Sequence, residues 1–140
     1  MTEKKTSAGI IVTDGKNVLI CRPTLGTLWD IPKGNQEPDE SYIQTAIRET
    51  REETGLKIDP AELQDIGIFP YKAQKNLYIF RHNVKKMPKV VKLHCTSTFV
   101  DRTGKTLPEM SGFEVLPIED AVKKLNKGMQ LIMKAIFDLK

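Results

Sequence analysis

Glu49, Glu52 and Glu53 stand i, i+3 and i+4 apart within the stretch GNQEPDESYIQTAIRETREETGL, Gly34 to Leu56. On a helix advancing about 100° per residue, that spacing gathers three carboxylates into one sector. They crowd a last turn, where the macrodipole is negative and Lys or Arg is favoured. Each like-charge neighbour at such spacing costs about 0.2–0.5 kcal/mol. A shared divalent cation offsets that cost, and hard ions such as Mg²⁺ suit oxygen ligands of this kind. Three glutamates alone would more often be a solvated acidic helix end.

The element that must carry them is a helix from about Ser41 to Thr54. Tyr42, Ile43, Ala46, Ile47 and Thr50 form its apolar stripe. Asp39, after Pro38, is the candidate N-cap, and Gly55 the left-handed stop. The carboxylate sector borders the apolar stripe, so it is expected to line the rim of a groove. Gly34 is expected to take a positive φ and turn the chain sharply out of Pro32-Lys33.

The same stretch resembles the Nudix signature, G-x5-E-x7-R-E-U-x-E-E-x-G-U, over its whole length. Gly34, Glu40, Arg48, Glu49, Glu52, Glu53, Gly55 and Leu56 fall at the defined positions without insertion. The one departure is Thr50, where an aliphatic residue is usual.

Composition sets the bounds. The 140 residues are read as one domain, with 39% hydrophobic and 29% charged residues, an ordinary balance for a globular protein. No apolar run approaches the roughly 18–20 residues of a membrane span, and MTEKKTSAG carries no apolar signal core. Cys21 and Cys95 form no CxxC and are expected to be buried reduced thiols, in keeping with a cytoplasmic location. The net charge of +4 conceals an asymmetry. The box holds six acids against Arg48 and Arg51, whereas Ile66 to Val100 holds seven Lys or Arg and no acid. Such a division suits a phosphate-rich substrate between metal and lysines, and equally suits lysines that guard strand edges.

In chain order, Met1 to Lys5 is expected to be a loose tail. Ser7 to Val12 and Val18 to Cys21 read as a strand hairpin, followed by a short strand at Leu28 to Ile31. After the box come a connector with Pro60, strands at Ile66 to Tyr71 and Leu77 to Val84, and an alternating strand from Leu93 to Val100. Asp101 to Gly112 reads as a long loop. A strand at Phe113 to Leu116 precedes a helix opened by Pro117, which Gly128 separates from an amphipathic helix bearing Met129, Ile132, Met133, Ile136 and Phe137. Local patterns alone give α/β or α+β. The resemblance implies an α/β/α sandwich with a mixed central sheet.

The resemblance further implies hydrolysis of a diphosphate linkage in a nucleoside diphosphate derivative. Glu49, Glu52 and Glu53 would divide metal ligation and base, with Mg²⁺ as cofactor and Mn²⁺ as a possible substitute. Arg48 would orient them, and Glu40 would support them from the helix start. Family members often add an acid from outside the box: Glu109 is the first candidate, Glu114 the competitor. Trp29-Asp30-Ile31-Pro32-Lys33-Gly34 resembles the entry to the box in asymmetric diadenosine tetraphosphate hydrolases. Lys33 would then contact phosphate, and Tyr78 a base, with Tyr71 and Phe80 as alternatives. A dinucleoside polyphosphate is therefore the expected small-molecule substrate. RNA 5′ ends, a broad range of ADP-ribose, FAD and nucleoside triphosphates, and a non-catalytic nucleotide sensor are the other readings.

Overall fold

The computed structural model describes residues 5–139. The expected tail lies outside them except for Lys5, which opens the first strand. Among the described residues, eight strands and three α-helices follow one another: β1 (Lys5–Thr13), β2 (Asn17–Pro23), β3 (Lys33–Asn35), α1 (Tyr42–Thr54), β4 (Leu63–Lys72), β5 (Lys75–Asn83), β6 (Thr98–Val100), β7 (Thr106–Pro108), β8 (Met110–Pro117), α2 (Ile118–Lys124) and α3 (Lys127–Ile136). The central sheet has the order β4-β5-β1-β2-β8, with β3 added to β1. β1 and β5 run parallel and the other pairs are antiparallel, so the sheet is mixed. β6 and β7 form a separate two-stranded ribbon.

Period-2 alternation gives the sheet two apolar faces. Ala8, Ile10, Val12, Leu19 and Phe80 point to one side, where Ala46 of α1 packs. Ile11, Val18, Ile20, Leu77 and Ile79 point to the other, beneath Val122 of α2 and Met129, Ile132 and Met133 of α3. The result is the expected α/β/α sandwich. Each fully buried aliphatic side chain contributes about 1.5–3 kcal/mol, so both layers are anchored through β1, the strand with most residues inside.

β1 and β2 meet at Thr13↔Val18. Farther along, residues 30–35 stand between them. Asp30 exchanges backbone hydrogen bonds with Cys21 at 2.7 and 2.8 Å, and the Ile10 amide donates to the Pro32 carbonyl at 3.2 Å. β3 then pairs with β1 through Gly9↔Lys33. This inserted wedge, rather than a free strand at Leu28 to Ile31, carries Asp30 and Lys33 to the site.

Five local expectations are corrected. The N-cap of α1 is Ser41, in a capping box with Gln44, while Asp39 takes a left-handed φ of 68°; Ser-x-x-Gln satisfies two orphan amides together, which Asp39 does not. Gly34 lies in β3 and is absent from the positive-φ glycines. Residues 93–97 are not strand: His94 donates to the Thr54 carbonyl at 3.1 Å and Thr96 to the Glu52 carbonyl at 2.7 Å. That segment satisfies carbonyls at the end of α1, which a helix terminus leaves open. Gly128 lies inside α3, whose N-cap is Asn126. A Cβ there would collide with the Tyr71 carbonyl, so this glycine serves close packing against β4. The region expected as a long loop contains β7 and the start of β8.

Candidate functional site

The box helix presents its carboxylates at graded depth. Glu53 is 3% exposed, Glu49 is half-buried, and Glu52 reaches the surface. The Lys33 amide donates to Glu53 Oε1 at 3.0 Å, joining β3 to the last turn of α1. Gly34 matters for space: a Cβ added there would strike the Glu49 carboxylate. Gly55 ends the helix as expected, at φ 81°, with its amide bonded to the Arg51 carbonyl at 2.8 Å.

Arg48 organises the acids. Its Nε and Nη2 donate to the two oxygens of Glu40 at 2.6 and 3.0 Å, a bidentate grip. Nη1 donates to Glu49 at 2.8 Å and more weakly to Glu52 at 3.3 Å. Nη2 also reaches the Asn35 carbonyl at 3.1 Å. The guanidinium holds the Glu40 carboxyl down at about 2. Burial pushes the Glu49 carboxyl up, against the opposing pull of Arg48. Glu53 has no such arginine: burial pushes its carboxyl up to about 8, aided by Glu49 and Glu109 and opposed by the Lys33 amide.

A cleft of about 330 Å³ opens over Glu53, lined also by Pro23, Asp30, Lys33, Phe99, Glu109 and Met110. Glu109 thus faces Glu53 across it. Glu114 instead bonds Lys124 Nζ at 3.0 Å, outside the cleft. Tyr78 is not brought there either. Its ring lies on the α1 side of the sheet, stacked on Tyr42 and Phe80 at 4.9 and 5.0 Å, and its hydroxyl donates to Asp65 at 2.8 Å. The aromatic beside Lys33 is Tyr71, 5.0 Å from the Lys33 ammonium to the ring centroid.

Sequence reasoning missed the support of Lys33. Buried Asp30 accepts from Tyr71 Oη at 2.5 Å, Asn126 Nδ2 at 3.0 Å and the Ile31 amide at 2.8 Å, and lies 3.5 Å from Lys33 Nζ. Asn126 also caps α3 through Oδ1 to the Met129 amide at 2.9 Å. The available signal was an aspartate inside the apolar run LWDIP, a position that demands partners when buried.

Among the described residues, no three acid, His or Cys side chains converge as a ready metal cage. The donor set still fits a hard divalent cation. Glu49, Glu53 and Glu109 supply oxygen only, and the buried Glu53 carboxyl gains its charge at neutral pH if a cation compensates it.

A family model described as NUDIX domain matches residues 3–136. The chain belongs to the Nudix family. As a Nudix hydrolase it is a pyrophosphohydrolase, and Nudix hydrolases generally depend on a divalent metal. An uncharacterized 17.7 kDa protein of Enterobacteria phage T4, from the e-segB intergenic region, is 32% identical over 145 residues, spanning 96% of each chain. The asymmetrical bis(5′-nucleosyl)-tetraphosphatase of Mus musculus is 55% identical over 29 residues, 21% of this chain and 20% of that one. Among solved structures, a bifunctional NMN adenylyltransferase/ADP ribose pyrophosphatase of Francisella tularensis, complexed with AMP and a Mn ion, superposes with a TM-score of 0.73 at 14% identity. The match covers all of this chain and 43% of that one.

Proposed function

We propose that this Nudix hydrolase cleaves a phosphoanhydride bond in dinucleoside polyphosphates, with diadenosine tetraphosphate as the leading substrate. The observation that carries the reading is the cleft that Glu53 and Glu109 share with Lys33, whose ammonium lies 3.5 Å from Asp30. The local likeness to the mouse tetraphosphatase supports it.

Glu49, Glu52, Glu53 and Glu109 would hold the divalent cation, Mg²⁺ in the first instance. When bound, that cation neutralises phosphate oxygens and lowers the pKa of a water. Arg48 keeps Glu49 and Glu52 beside one another against their repulsion, and Glu40 fixes Arg48 through two hydrogen bonds. The three box glutamates would share the holding of the cation and acceptance of the proton from the attacking water. Lys33 acts as a point charge on a phosphate, steadied by Asp30 and Tyr71.

The test is a panel of diphosphate compounds with Mg²⁺ or Mn²⁺, both products identified, on wild type and Lys33→Ala. Losing a charge-assisted phosphate contact costs about 1.5–3 kcal/mol, roughly a 10- to 150-fold fall in kcat/KM. Preference for diadenosine tetraphosphate, with a larger Lys33→Ala loss there than on ADP-ribose, is the expected result. A preference for ADP-ribose with equal losses on both overturns the substrate assignment.

A further inference from the structure

Glu109 reaches the cleft from outside the box helix, at the junction of β7 and β8, so no helical regularity places it. It is half-buried, like Glu49. An acid on such a junction keeps a useful position only if its backbone is fixed, because small misplacements of a site group are costly.

Four hydrogen bonds fix that backbone. The Thr24 hydroxyl donates to the Pro108 carbonyl, and the Thr24 amide donates to the Glu109 carbonyl at 3.0 Å. From the other side, the Glu109 amide donates to the Ser97 carbonyl at 3.0 Å, and the Met110 amide to Cys95 Sγ at 3.4 Å. Both peptide units that flank Glu109 thus have their donor and their acceptor partnered. Residues 95–97 belong to the segment already bonded to the end of α1. Thr24 is set by a turn directly after β2, closed by the Gly26 amide on the Pro23 carbonyl at 3.0 Å.

The strand pairing beside this turn is irregular. Arg22 faces Gly112 and Pro23 faces Met110, so Ser111 is an extra residue on β8, a bulge. Bulges of this kind bend a strand and re-aim a neighbouring side chain. Arg22 Nη2 holds the bulged residue through Ser111 Oγ at 3.3 Å. The bulge lies two residues from Glu109, and the turn that follows Arg22 carries Thr24.

Thr24 supplies two of the four bonds, yet it does not line the cleft. We propose that Thr24 is a positioning residue: it locks the turn after β2 onto residues 108 and 109 and so holds the Glu109 carboxylate across the cleft from Glu53. The assignment rests on the proposed function only for the part Glu109 takes in holding the cation.

Thr24→Val keeps the shape and the amide and removes only the hydroxyl bond. The first measurement is free of metal: NMR order parameters of the Glu109 and Met110 amides in EDTA. Wild type should show the ~0.85 of rigid backbone, and Thr24→Val should fall toward the ~0.6 of flexible backbone. Thr24→Ser should match wild type, and so should Thr27→Val, a change at an exposed threonine of the same loop. The second measurement is Mn²⁺ affinity without substrate, from the electron paramagnetic resonance signal of the free ion. Thr24→Val should weaken it about three- to tenfold, the scale of one lost hydrogen bond, and Thr24→Ser should not. In a Glu109→Gln background the change at Thr24 should have no further effect, a coupling that a general loss of stability does not produce. Melts in EDTA establish that each variant is folded.

Rigid amides in Thr24→Val overturn the assignment. So does an equal loss of Mn²⁺ affinity in the Glu109→Gln background, or an unchanged affinity in Thr24→Val where Glu109→Gln lowers it. If Thr24→Val loosens the amides yet Glu109→Gln binds Mn²⁺ as wild type does, Glu109 leaves the metal site and the positioning role stands. If Glu109→Gln weakens Mn²⁺ binding while Thr24→Val alters neither amides nor affinity, the positioning role falls and the metal reading stands.

Discussion

The amide of Lys33 donates to the buried Oε1 of Glu53 at 3.0 Å, so one glutamate both faces the cleft and ties β3 to α1. Its structural and chemical duties can be separated, because a glutamine oxygen accepts the same hydrogen bond without the charge.

Glu53→Gln should therefore keep the fold while turnover falls by about two orders of magnitude or more, the scale of losing a positioned acid–base or charge-stabilising group. Metal-free stability at pH 8 should hold or rise, because a buried carboxylate is removed. Steady-state kinetics and a melt in EDTA check both halves. Full turnover with Mg²⁺ would falsify the assignment of Glu53.

The metal-free protein should lose stability as pH rises. The Glu53 carboxyl moves from 4.5 to about 8 on folding, so the folded chain binds this proton more tightly. Its contribution is fully present below about 4.5 and is lost as pH rises through about 8. The raised Glu49 carboxyl acts in the same sense. Melting temperatures in EDTA between pH 5.5 and 8.5 should decline more steeply for wild type than for Glu53→Gln. Mg²⁺ should raise the wild-type melt most at the alkaline end, where the ligands are ionised, by up to about 2.7 kcal/mol at a hundredfold excess over Kd. A flat profile, or no Mg²⁺ effect, removes Glu53 from the metal site.

Gly34→Ala tests space rather than backbone freedom. The added Cβ meets the end of a flexible side chain, the Glu49 carboxylate, so the fold should survive and the carboxylate should move. We expect a melt within a few degrees of wild type and a fall in kcat of at least about tenfold, comparable to misplacing a catalytic group. Unchanged kcat would mean that the position of Glu49 is not needed for turnover.

Thr50 is buried, and its Oγ1 lacks a hydrogen-bond partner among the described residues. It occupies the signature position where an aliphatic residue is usual. Thr50→Val should stabilise by about 1 kcal/mol, since an unsatisfied buried hydroxyl costs about 1–3 kcal/mol. Chemical denaturation reads this as a higher midpoint at constant slope; a lower midpoint would show that the hydroxyl has a partner after all.

How legible all this was in the sequence depended on how local each cause is. The spacing of Arg48, Glu49, Glu52 and Glu53 and the stop at Gly55 are properties of one helix, and α1 keeps them. Glu109 was reached through the resemblance, which expects a further acid just before the last strand, and it lines the cleft. Tyr78 could not be placed, since strand alternation assigns a residue to one of two faces but not which face meets the cleft. The alternation of Leu93 to Val100 suggested a strand, yet amides 94, 96 and 97 bond carbonyls of α1 some forty residues earlier. The wedge at 30–35 depends on β1 and β2 parting, a tertiary event with no local marker. Asp30 was visible in LWDIP, but its partners Tyr71 and Asn126 come from two distant elements.

The bonds from His94, Thr96 and Ser97 to the carbonyls of Thr54 and Glu52 bind the fate of the acidic helix end to a segment far along the chain. Helix ends ordinarily fray first, and local opening follows cooperative units rather than sequence neighbours. Here the terminus that carries Glu52 and Glu53 cannot unwind without releasing residues 94–97. In hydrogen exchange, the amides of His94 and Thr96 should thus share a protection factor with the last turn of α1, not with their own neighbours at 85–92. The intervening stretch can then change in length with little effect on the carboxylates, whereas a deletion within 94–97 would loosen the site without touching one of its acids.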